Sequence, residues 1–155
     1  MRLMMDTLVA LMLIALLGGV MWHNRTGQTE TQQRESTRAE VRRFQQQLAL
    51  QNALATVQFN AHGHPDTIDP QWFMGDLPDN ALLSDEHPWV DVAGPDEKDL
   101  IHPRQCVATS VDLAKFWYNP HNGIIRARVP VAISDKAAIA LYTFINECPV
   151  PDLFK

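Results

Sequence analysis

The sequence predicts an α+β protein: a single N-terminal transmembrane helix continuing into a long amphipathic helix, packed on a small antiparallel β-sheet, with a C-terminal helix. Three observations predict it. Residues 3–22, LMMDTLVALMLIALLGGVMW, carry one charge, Asp6, in an otherwise apolar run. Residues 29–59 contain neither proline nor glycine and repeat apolar side chains at helical spacing. Residues 115–118 and 124–129 are β-prone runs joined by NPHNG, whose Asn–Gly pair is a strong hairpin signal.

At about 1.5 Å per helical residue, residues 3–22 span about 30 Å, matching a hydrocarbon core with Asp6 at its edge. The uncharged part, 7–22, reaches about 24 Å. A cleaved signal peptide is the alternative, kept open by Gly18 and Gly19. Against it, the positive region is reduced to Arg2 and no A-x-A site follows. Asp6 is costly in such a run and calls for a partner, such as a neighbouring subunit's amino terminus. The other reading puts it among headgroups, favoured by the helix dipole.

Residues 23–28 form the polar exit, where Gly27 is a point for a kink or break. Beyond it, Val41, Phe44 and Leu48 make one stripe, and Leu50, Leu54 and Val57 a second, on a helix expected to reach about Phe59. Glu30 with Arg34, Glu35 with Arg38, and Glu40 with Arg43 have the spacing of helix-surface ion pairs.

The segment 65–103 is punctuated by Pro65, Pro70, Pro78, Pro88, Pro95 and Pro103. Prolines deny helix interiors and central strands, so packed irregular loops are expected, with one helical turn near 80–83. Trp72, Phe73 and Trp89 would anchor these loops on the sheet. Residues 107–111 are a candidate third strand. In 124–129, Ile125, Ala127 and Val129 alternate with Arg126 and Arg128, predicting one buried and one wet face. Ser134–Asp135 caps a final helix, 136–146, with Ala138, Leu141, Tyr142 and Ile145 inward. The chain thus divides into an anchor (1–22), an amphipathic helix (23–61) and a small loop-rich α+β domain (62–155).

Net charge is −5 over 155 residues, and residues 62–112 have only Lys98 and Arg104 against many carboxylates. No clustered basic face exists for nucleic acid. His62, His64, Asp66 and Asp69, and again Glu86, His87 and Asp91, lack metal-ligand spacing. No C-x-x-C, G-x-S-x-G, Walker or dinucleotide motif occurs. The expectation is no catalytic residue, no metal and no cofactor. Cys106 and Cys148 suit one disulfide in an oxidising compartment, with two buried free thiols as the alternative. The arginines after the apolar run, by the positive-inside rule, would instead put the domain in the cytoplasm.

Residues 2–17, RLMMDTLVALMLIALL, resemble the start of a mature type IV pilin or type II secretion pseudopilin, with a pattern like FTLIEVLVALMLIALL. The resemblance places Asp6 at the family's intramembrane glutamate. The order of apolar half-helix, amphipathic continuation, loop-rich joint and sheet is also similar. Met1 stands at the family's cleavage glycine and Arg2 at its aromatic, so the resemblance carries the expectation of a relative without the family's basic leader. The resemblance implies a non-enzymatic structural subunit assembling through Asp6, Leu8, Leu11 and Ala15 into a filament or secretion-type assembly. It further implies the bilayer, copies of itself or other membrane-helix subunits as partners. It also implies a bacterial inner-membrane location with the domain periplasmic, overriding the arginine count. A cysteine pair bracketing the C-terminal part is common in that family. The alternative is a single-pass accessory subunit stabilising a larger respiratory or photosynthetic complex.

Overall fold

A computed structural model of the chain describes residues 2–54 and 59–149, with side chains described for Met12, 28–54 and 59–149. Two compact units emerge, Met1–Gln33 and Arg34–Lys155. Helix α1 (Arg2–Leu54) runs for 53 residues and contributes to both. Gly27 does not end it: a helical glycine costs only about 1 kcal/mol relative to alanine.

The expected transmembrane anchor is corrected. Among the described residues no helix is long and apolar enough to cross a membrane. Over its described side chains α1 is dominated by Gln, Glu, Arg and Thr, which would each need an expensive desolvation. The side chains of 2–11 and 13–27, including those of the apolar run, lie outside the described residues.

In the second unit, α1 lays Thr37, Val41, Phe44 and Leu48 into the core. Their spacing keeps them on one face. The second stripe is corrected: Leu50 and Leu54 remain 48% and 56% exposed, on the opposite side of the helix, and Val57 lies outside the described residues. The last described helical residue is Leu54, and Phe59 already forms an antiparallel bridge with Pro65.

Phe44 is the centre of the packing. Its ring stacks on Trp89 (5.4 Å between centroids) and meets Phe73 and Phe116 edge-on at 5.1 and 5.3 Å. The aromatics of the proline-rich segment therefore dock on the helix as well as on the sheet. Phe73 comes from a 3₁₀ turn, Pro70–Phe73, capped by Asp69, whose carboxylate accepts from Gln71 N at 2.9 Å.

The sheet is mixed, correcting the expected antiparallel one. Its order is β1 (Val90–Val92), β3 (Phe116–Asn119), β4 (Ile124–Ala127). β3 and β4 form the hairpin, with Tyr118 opposite Ile125 and Asn119 opposite Ile124. β1 runs parallel to β3, Val90 opposite Phe116. The cause is that Val90–Val92 fits between Pro88 and Pro95, where its backbone is free to pair. The long segment that follows then supplies the crossover that a parallel pair requires. β2 (Val107–Ala108) pairs in parallel with β5 (Val129–Pro130) as a separate two-stranded ladder, so only part of 107–111 is strand.

Helix α2 (Asp135–Asn146) begins at Ser134, whose hydroxyl accepts from Ala137 N at 3.2 Å. Ala138, Tyr142, Ile145 and Asn146 are buried. At its end Glu147 adopts φ 50° and its carboxylate takes ion pairs from Arg38 and Arg42 of α1.

Polar groups tie these layers together. Buried Asn80 donates to Arg128 O at 2.8 Å and accepts from Thr37 Oγ1 at 3.3 Å, linking helix to sheet. Arg128, expected on the wet face, is buried instead. Its guanidinium donates to Gln105 O, Ala114 O and the Asp91 carboxylate, which compensates the lost hydration.

Candidate functional site

A cleft of about 380 Å³ lies where three loops meet. One wall is the turn after α1, with Asn60, His62 and Asp66; another is the β3–β4 turn, with Asn119 and His121; the third is 93–98, with Lys98. Because β1 and β3 are parallel, both of their carboxyl ends open toward this cleft, at Ala93 and Asn119. Its volume falls within the range of small-molecule sites.

Three asparagines fix the walls. Asn119, fully buried, donates to the carbonyls of Glu97, Lys98 and Leu100 at 3.1, 3.1 and 2.9 Å, and accepts from His121 N at 2.9 Å. Asn122 donates to Leu100 O and accepts from Ile124 N. Asn60 donates to Pro120 O at 2.8 Å and accepts from His62 N and His64 N. The Tyr118 hydroxyl donates to Pro65 O at 2.7 Å, and burial, helped by the Asp66 charge, holds that phenol protonated well above its usual range. The loops are thus set by side-chain–backbone bonds.

In this frame the imidazoles of His62 and His121 meet with centroids 3.8 Å apart and planes tilted by 52°. Two nearby carboxylates are occupied: Arg104 pairs with Asp96 at 2.7 Å and with Glu97 at 3.2 Å. Among the described residues Lys98 has no ion-pair partner, and Asp66 has none.

The sequence groupings are redistributed. His62 and Asp66 line the cleft, but Asp69 is a cap and His64 lies under Gly123. His87 contacts Leu113 O, and Asp91 holds Arg128. His121 was not singled out in the sequence. Its only signal was membership of the hairpin turn. Among the described residues no group of three His, Cys, Asp or Glu side chains could hold one metal ion.

Asp6, Leu8, Leu11 and Ala15 all belong to the α1 backbone, and their side chains lie outside the described residues. At about 100° per residue, positions 8, 11 and 15 share one stripe, whereas position 6 falls on the other side of the helix. Cys106 and Cys148 are both free thiols in this structure, the second of the two states the sequence leaves open. Cys106 is buried and donates to Pro103 O at 3.3 Å, so its hydrogen-bonding need is met locally. Burial pushes its pKa up to about 11, partly offset by Tyr142, and burial also raises Cys148. Neither has the depressed pKa of a catalytic thiolate. Beside them, His102 Nδ1 lies 3.3 Å from the Tyr142 hydroxyl, and its pKa is lowered first by burial and then by Arg126.

No family model, no curated protein and no solved structure matches this chain.

Proposed function

We propose that this chain is a structural, pilin-like subunit: a small head built on the second half of a long helix, which associates through the first half of that helix. The carrying observation is that α1 is continuous from Arg2 to Leu54, with the head's core stripe confined to Thr37, Val41, Phe44 and Leu48. The apolar sequence of 3–22 supports packing against other helices, and the stripe of positions 8, 11 and 15 supplies a face for it. Copies of the same chain are the partners this arrangement suits, since each brings the same stripe.

The test is electron microscopy and sedimentation of the full chain in mild detergent, beside Leu11→Asn and Asp6→Ala. Fibres or multimers that Leu11→Asn disperses are the expected result. A chain that stays monomeric at all concentrations, or multimers indifferent to both substitutions, would overturn the reading. A discrete complex with larger subunits at fixed stoichiometry would replace it with an accessory role.

A further inference from the structure

We propose that the cleft between the 60–66, 93–98 and 119–121 loops binds a small molecule through an oxyanion, with His62, His121 and Lys98 as its receptors. This is independent of the assembly reading. Two imidazoles from distant parts of the chain are held in contact, and each offers at least one N–H donor whatever its protonation state. Lys98 adds an ammonium without an ion-pair partner among the described residues. Two neighbouring acids, Asp96 and Glu97, are engaged by Arg104. A carboxylate or phosphate group would accept from the imidazoles and the ammonium together, giving charge-assisted bonds of the stronger class.

Asp66 is the opposing charge in the cleft. It disfavours a bare anion and favours one that also presents a donor, such as an amino- or hydroxy-substituted acid or a hydroxylated phosphate ester. The walls support the assignment: Asn60, Asn119 and Asn122 tie the loops together by side-chain–backbone bonds, which lowers the freedom to be lost on binding.

The experiment is an NMR titration of the full chain with sodium phosphate, following the histidine ring protons, with sodium chloride at matched ionic strength as control. The expected result is saturable movement of the His62 and His121 signals at millimolar phosphate, while His87, held by Leu113 O away from the cleft, stays still. Lys98→Gln, at an exposed position, should weaken binding about fivefold, the worth of one exposed ion pair. Asp66→Asn should strengthen phosphate binding. A parallel acetate titration separates the sources: comparable affinity points to a carboxylic acid, and phosphate preference to a phosphate ester. Movement equal in chloride and phosphate, failure to saturate, or a curve unchanged by Lys98→Gln would overturn the proposal.

Discussion

Asn146 holds Ala127 by both of its backbone hydrogen-bonding groups. Ala127 N donates to Asn146 Oδ1 at 2.7 Å, and Asn146 Nδ2 donates to Ala127 O at 2.9 Å. The amide of a helix residue thus stands where the next strand would be. It closes the edge of β4, a place that otherwise invites pairing with another chain. The same Nδ2 also reaches Tyr142 O at 3.1 Å, so the bond anchors the last turn of α2 as it covers the strand.

Removing that amide should be costly. Asn146→Ala leaves a buried N–H and a buried carbonyl of Ala127 unpaired, at about 1–3 kcal/mol for each orphaned group. Urea denaturation should show a loss of about 2–6 kcal/mol. A loss near zero would mean that water or a shifted helix replaces the amide.

Gly123 should tolerate no side chain. Its φ is +70°, and a Cβ placed there would lie 2.5 Å from Cε1 of His64, a side chain enclosed beneath the turn. Gly123→Ala combines left-handed strain of about 1–2 kcal/mol with displacement of that ring. The expected readout is a lowered melting temperature, together with altered ring signals of His62 and His121.

The two thiols should differ in accessibility. Cys106 is buried and Cys148 half-buried, so a disulfide reagent should label Cys148 first and Cys106 only as the head opens. The Cys106 pKa of about 11 lies above its ordinary value of 9.0, so the folded state favours the thiol. Its contribution to stability is complete below pH 9.0 and is lost as pH rises toward 11. Cys106→Ser should lessen the alkaline part of a stability–pH curve; an unchanged curve would remove this thiol from the account.

Acid should loosen the tie between the helices. The Arg42 and Arg38 guanidiniums hold the Glu147 carboxyl below its usual range. A depressed carboxylate contributes stability above its unfolded value of 4.5, and that contribution disappears as pH falls through the folded value. Glu147→Gln should therefore flatten the acid limb of the melting-temperature profile. The neutral-pH change should be small, because the pair is solvent-screened.

What the sequence disclosed was local chemistry. The Asn122–Gly123 turn, the Ser134 cap and the stripe through Val41, Phe44 and Leu48 each depend on neighbours within a few residues, and each stands in the fold. The parallel β1 was hidden because Val90–Val92 is only three residues between prolines and its partner is distant in the chain. Arg128 was misplaced because period-2 alternation ignores what a neighbouring loop can offer, here the carbonyls of Gln105 and Ala114. The cleft was invisible for the same reason: His62 and His121 meet only once three loops are bound by asparagines. The apolar run invited a membrane reading that the described residues do not sustain.

The seating of Phe44 among Phe73, Trp89 and Phe116 has a mechanical consequence. Residues 37–48 are at once shaft and core, so no flexible joint separates this stretch of α1 from the head. Tension applied along it would be borne by interlocked rings in shear. Release would then mean rupture of the head's interior, not extension of a tether.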